Sequence, residues 1–146
     1  MSQPSKLDID VQALKNAQVV EKLWGLELWL ENNTLYCAKI LVLDYGFQSS
    51  LHFHQYKDET FVVLHGRVFL EVADRSTGRR RVIEMAAGDK HRLFPRVPHR
   101  FWAAPEGATV LEISTRHDDE DVTRLEDSKV RNVSADPATG NTPAAP

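Results

Sequence analysis

Turn-forming residues break this chain at short intervals, and that punctuation restricts its fold more than any other feature. Asn32-Asn33, Tyr45-Gly46, His65-Gly66, Thr77-Gly78, Ala87-Gly88-Asp89 and Pro105-Glu106-Gly107 supply the breaks. Between them lie short apolar or alternating runs at 26–30, 36–43, 50–54, 60–64, 67–72, 80–85, 91–94, 99–103 and 109–114. Alternation with period two puts successive side chains on opposite faces, so each run reads as a strand, and their spacing predicts an antiparallel sandwich or small β-barrel. Two helical segments are expected to flank it: 11–17, capped by Asp10, and 118–125, which starts on acidic residues as a helix N-terminus prefers. With 146 residues, 42% of them hydrophobic, the chain can build one core of ordinary size. The expected organisation is an N-terminal arm over 1–19, a barrel with its C-terminal helical segment over 20–131, and a tail over 132–146. From Ala135 onward Pro, Ala, Thr, Gly and Asn dominate, too little apolar surface to offset the cost of ordering, so that tail is expected to be disordered.

Charge narrows the partners. Basic side chains number 18 and acidic ones 21, a net charge of -3, so no global basic field favours nucleic acid or an anionic membrane. The one basic run, 79–81, follows Ser76-Thr77-Gly78 and reads as a solvated hairpin tip ahead of an anion site. Cys37 is the only cysteine, which excludes an internal disulfide and fits a reducing compartment; set in an apolar run, it reads as a buried, inert thiol. No apolar stretch of signal length precedes Asp8, and no run approaches the roughly 20 residues of a membrane span. A cytoplasmic protein is the expectation, and apolar strands in the N-terminal third favour a homodimer.

The chemistry concentrates between Gly46 and Gly66. His52 and His54 stand one residue apart, so an extended backbone sends both imidazoles to one face and Phe53 to the other. Glu59 opens the next apolar run, and if that run is a paired strand its carboxylate returns to the same place. His99, after Pro95 and Pro98, is the fourth candidate. Three imidazoles and a carboxylate suit one divalent transition metal, zinc, manganese, iron or nickel, with positions left for water or substrate. The other histidines fit less well. His65 has the parity of Glu59 but lies roughly 20 Å along an extended strand. His91, beside Lys90 and Arg92, reads as a polar strand edge, and His117 is open between binding substrate, capping the acidic segment after it, and facing solvent.

Gly46 through His52, His54 and Glu59 to Gly66 resembles the first cupin motif in spacing throughout. Gly88 through Pro95 to His99 resembles the second, with Val97 where a glycine is usual and Ala103 where an asparagine is usual. The resemblance implies a cupin-type double-stranded β-helix, a jelly-roll barrel. Three further pieces are similar to the cupin domain of type II phosphomannose isomerases and of D-lyxose and mannose isomerases. An entry strand ends in Leu23-Trp24-Gly25, with leucine for the usual proline; Lys39 sits on the next strand; and Asp119-Glu120 precedes Arg124 where a Glu-Asp-x-x-x-Arg ending recurs. His52-Phe53-His54-Gln55 is shorter in histidine than the phosphomannose enzymes and nearer the lyxose and mannose relatives.

That resemblance implies a metal-dependent isomerase of a sugar or sugar phosphate; a dioxygenase using ferrous iron and a non-catalytic small-molecule-binding cupin are the alternatives. Moving a proton between adjacent carbons through an enediol needs an electrophile and a base. Glu112 is the candidate base, because Val110, Glu112 and Ser114 alternate with Leu111 and Ile113; a surface glutamate on a half-exposed strand is the competing reading. Lys39, a charge within the run 38–43, lines a cavity and touches substrate or else snorkels to an edge. Arg124 is a candidate substrate contact at the barrel mouth, against a salt bridge to Glu120 at helical spacing. Lys57, between the metal-binding elements, reads as solvated.

Overall fold

The computed structural model describes residues 17–132, and within them the chain is all β. The strands are β1 (Gln18–Lys22), β2 (Gly25–Asn32), β3 (Cys37–Leu43), β4 (Phe47–Gln48), β5 (Leu51–Phe53), β6 (Glu59–Ala73), β7 (Arg80–Ala86), β8 (Lys90–Leu93), β9 (His99–Ser114), β10 (Thr123–Glu126) and β11 (Lys129–Val130). All nine expected runs fall largely within strands, two each in β6 and β9, so they make seven, and four short ones, β1, β4, β10 and β11, join them. The expected helix over 11–17, apart from Ala17, and the tail after 132 lie outside the described residues. Among the described residues no helix is long and apolar enough to cross a membrane.

The organising element is an antiparallel ribbon. β6 and β9 pair from Glu59↔Ser114 at one end to Val72↔His99 at the other. Laid flat, those 13 steps would span roughly 40 Å. Two register shifts, between Val63 and His65 and between Gly66 and Val68, bend it instead. His65-Gly66 and Pro105-Glu106-Gly107, expected to separate strands, are this bend within continuous ones. Gly66 (φ 75°) and Gly107 (φ 74°) adopt left-handed backbone there, and a Cβ on Gly66 would sit 2.1 Å from the Gly107 carbonyl oxygen. The two strands are that close at the fold.

Each half of the ribbon gathers its own neighbours. The first half of β6 pairs β8 and the second half of β9 pairs β3, which continues through β2 to β1. The second half of β6 pairs β7, and the first half of β9 pairs β4 and β5, which carry β11 and β10. Alternation then points Leu41, Leu43, Phe61 and Val63 from one half and Leu70, Val72, Phe101 and Ala103 from the other into a single core. Complete burial of a side chain such as Leu70 contributes about 2 kcal/mol. Trp24 closes the core edge-on against Phe101, centroids 5.0 Å apart. Cys37 is buried, as expected.

The segment 118–125 corrects the expected helix. Asp118 Oδ1 accepts the Glu120 amide at 3.0 Å, a local bond that competes with helix formation, and Thr123–Glu126 then pairs with β5 as β10. With helical spacing gone, Glu120 and Arg124 make no ion pair with each other among the described residues. The run 79–81 does lie at a hairpin end, where Asp74 Oδ1 accepts the Ser76 and Thr77 amides at 2.9 and 2.8 Å.

Gly66→Ala adds an impossible contact to an unfavourable φ, whereas Gly78→Ala, at φ +70° with nothing within 4 Å, adds the φ alone. Urea unfolding should show a loss of about 3 kcal/mol or more for the first and about 1 kcal/mol for the second. Equal losses would mean that the ribbon does not depend on close approach at its bend.

Candidate metal centre

Folding the ribbon brings its ends together. Glu59 opens β6 and His99 opens β9, at opposite ends of the pairing, yet Glu59 Oε1 lies 3.0 Å from His99 Nε2 and 3.7 Å from His54 Nε2. His52, on β5, is the direct cross-strand partner of His99, and their ring centroids are 4.5 Å apart. One ring nitrogen from each of His52, His54 and His99 falls within 4.8 Å of the others. The structure thus gathers all four expected metal-ligating residues in one place.

Hydrogen bonds orient the rings. His52 Nδ1 lies 2.9 Å from the Ser50 carbonyl, His54 Nδ1 2.9 Å from the Asp121 carbonyl, and His99 Nδ1 2.9 Å from the Val97 carbonyl. A carbonyl oxygen only accepts, so each Nδ1 carries a proton, which leaves Nε2 as the atom each ring turns inward. Burial disfavours the charged form: it lowers the His52 pKa well below its ordinary value, aided by His99 and His54, and takes His54 down to about 4 despite the Glu59 carboxylate. Burial pushes Glu59 the other way, but the close His99 ring and the Lys57 ammonium more than reverse it, holding the carboxyl well below the usual range.

Two buried atoms of this cluster, Glu59 Oε1 and His99 Nε2, have no hydrogen-bond partner; though 3.0 Å apart, they lack hydrogen-bond geometry. Such groups cost about 1–3 kcal/mol each when left unmatched. Three imidazole lone pairs with their outer nitrogens tied to carbonyls, plus an ionised carboxylate, are what a divalent cation such as zinc or manganese satisfies. The donor set fits.

Lys57 was expected to be solvated, and here the structure corrects the sequence reading. It is 3% exposed, with Nζ 2.9 Å from Glu112 Oε2, 3.3 Å from Glu59 Oε2 and 3.2 Å from His117 Nδ1. Burial alone would lower its pKa; Glu112 and Glu59 raise it instead. Glu112 is buried on the inner face, while Ile113 beside it is exposed, so the alternation was read correctly and the surface alternative is excluded. Burial raises the Glu112 carboxyl against the pull of Lys57, with Glu59 adding to the rise. Lys39 is buried rather than snorkelling, 3.4 Å from Glu27 Oε2 and 4.2 Å from the Trp29 ring centre. Arg124 pairs with His52 across β10 and β5. His117 is held between Lys57 and Asp119 Oδ1, 2.9 Å from its Nε2.

These groups share one cavity, of about 120 Å³, lined by His52, His54, Lys57, Glu112, Lys39 and Arg124 among others. His65 lines a separate groove beside Pro105 and Glu106, and His91 another beside Arg81 and Phe94; both lie apart from the cluster, as expected.

Comparison with known proteins places the architecture. The oxalate decarboxylase of Bacillus subtilis at pH 4.6 superposes with a TM-score of 0.69 at 18% identity, over 77% of this chain and 31% of that one. A structure of the same enzyme, used to assign the EPR parameters of its Mn(II) centres, gives 0.68 over the same shares. In sequence, the D-lyxose/D-mannose isomerase of Thermosediminibacter oceani is 34% identical over 118 residues, 66% of this chain. The chain has the fold of these decarboxylases, a jelly-roll barrel. It spans 65% of the isomerase relative's length. No protein-family model matches it.

Two measurements follow from these charges. The folded-state pKa of His54, about 4, lies below the 6.5 of an unfolded histidine, so the unfolded chain binds more protons. The stabilisation is complete above pH 6.5 and is lost as pH falls towards 4, His52 acting in the same sense. Urea titrations of metal-free protein across that window should lose on the order of 3 kcal/mol; constant stability would contradict a neutral His54 ring. Lys57→Met leaves two buried carboxylates uncompensated and should cost about 3–5 kcal/mol at pH 7, whereas a loss under 1 kcal/mol would mean that water already screens the cluster.

Proposed function

We propose that this protein is a metal-dependent isomerase interconverting an aldose and a ketose of the mannose or lyxose type, free or phosphorylated. One observation carries the reading: the Glu112 carboxylate, buried and of raised pKa, opens on the same cavity as the histidine cluster, with Lys57 between them. The relative named D-lyxose/D-mannose isomerase supports sugar as the substrate class.

His52, His54, Glu59 and His99 would hold one divalent transition metal. When bound, it supplies a Lewis acid that polarises the substrate carbonyl. The protein's own groups do the rest. Glu112 removes the proton from the carbon beside the carbonyl and returns it to the neighbour, and a raised pKa suits a base that must also act as acid. Lys57 keeps Glu112 in place and offsets negative charge as the enediolate forms. Lys39, rigid between Glu27 and Trp29, donates to substrate hydroxyls, and Arg124 closes the cavity over the substrate's far end, where a phosphate would also meet it. The molecule acts in the cytoplasm as a homodimer in this reading. The exposed Val19 and Leu30 of its outer strands, Leu23 in the turn between them, and β1 as the terminal strand of its path, support the second copy.

Metal analysis of the variants and anaerobic incubation with candidate sugars in deuterium oxide test the proposal together. His52→Ala, His54→Ala, Glu59→Ala and His99→Ala should each lose metal. Glu112→Gln should retain it while turnover falls by about 10²–10⁴-fold, and wild type should place solvent deuterium at the carbon beside the carbonyl. Stoichiometric metal in the four variants would refute the ligand set. Oxygen consumption with ferrous iron would identify a dioxygenase, and ligand-induced thermal stabilisation with neither event a binding module.

A further inference from the structure

The six residues from His54 to Glu59 carry two of the four candidate metal-ligating side chains together with Lys57, yet 54–58 form no strand. Something other than a ladder must hold them. Three successive amides of this loop point at one carboxylate: Gln55 donates to Asp121 Oδ1 at 2.9 Å, Tyr56 lies 3.2 and 3.3 Å from its two oxygens, and Lys57 donates to Oδ2 at 3.0 Å. The same residue's carbonyl accepts from His54 Nδ1 at 2.9 Å. Asp121 therefore touches the loop at four successive residues, twice by charge-assisted geometry to both oxygens. Its own backbone is fixed by a turn to the Asp118 carbonyl, 3.0 Å from its amide, and by β10, which begins two residues after it.

From this we infer that Asp121 is a positioning residue for the metal centre. Its carboxylate clamps the loop, and the clamp holds its carbonyl over His54, which selects the tautomer that leaves Nε2 facing inward. The same grip on the Lys57 amide sets where the buried ammonium stands between Glu59 and Glu112. Asp121 touches neither metal nor substrate; it acts through His54 and Lys57. The inference rests on the metal reading above. Groups that orient metal-ligating histidines typically change metal affinity by about 10–100-fold when removed.

Asp121→Ala removes the acceptor, and Asp121→Asn turns one acceptor into a donor facing amide protons; Asp127→Ala removes a charge from the same segment without touching the loop. Two readouts are taken: hydrogen exchange of the Gln55, Tyr56 and Lys57 amides in metal-free protein, and zinc and manganese affinity by competition with a chelator. Both Asp121 variants should lose amide protection and bind metal about 10–100-fold more weakly, with Asp127→Ala unchanged in both. The melting temperature of the metal-free Asp121 variants should fall no further than that of Asp127→Ala by more than a few degrees. Loss of protection with unchanged affinity would overturn the positioning role, and unprotected amides in wild type would overturn the clamp itself. Protected amides in a wild type that binds neither metal would sink the metal reading, and the inference with it.

Discussion

The fold of the β6/β9 ribbon onto itself is the constraint on which everything else depends. A straight ribbon would hold Glu59 and His99 at opposite ends, tens of ångströms apart; the bent one sets their side chains 3.0 Å apart. The bend is possible because Gly66 and Gly107 accept left-handed backbone and because neither carries a Cβ to separate the strands. It serves packing and chemistry at once, since the two halves share one core and the candidate site lies where the ends meet. Glu59 and His99 thus come from strand beginnings, His52 from within β5, and His54 from just beyond it.

Much of this was legible in the sequence. Period-two alternation located nine runs that make up seven strands, and the His-x-His spacing, the glutamate opening the next run and the histidine after a proline-rich turn named the four clustered residues. Alternation put Glu112 on one face with Val110 and Ser114 but left open whether that face was buried, and the structure turns it inward. What escaped were features that periodicity does not encode. Lys57 sits in an irregular loop, so nothing local distinguished a buried ammonium from a solvated one; the available signal was its place between two candidate metal-ligating residues. The 118–125 segment was misread because acidic residues suit both a helix start and an acceptor for distant amides, and only tertiary contact with the 54–58 loop decides between them. The bends at 65–66 and 105–107 carry the same turn residues as true chain reversals, so their continuity within β6 and β9 was invisible locally.

Burying so much charge has to be compensated, and the structure shows how. Lys39 meets Glu27 and Trp29, and Lys57 meets both Glu59 and Glu112. Removing either cation would strand carboxylates in a medium of low dielectric, a cost of several kcal/mol. Hydrophobic replacement of all these groups would give a core at least as stable. Their presence is therefore poorly explained by stability and well explained by a task that needs charge in a buried cavity.

The charge balance of the cluster also bears on which task that is. With neutral imidazoles, Glu59 and Glu112 against Lys57 leave one excess negative charge around the histidines. A bound dication would reverse that to one excess positive charge, and once Glu112 took up the substrate proton the cluster would carry two, facing the single negative charge that an enediolate spreads over its oxygens. Ionised Glu112 is costly before the cation arrives, because Glu59 repels it, and less costly after. On the isomerase reading, metal binding and activation of the base are thus the same electrostatic event, transmitted through the one ammonium that both carboxylates share.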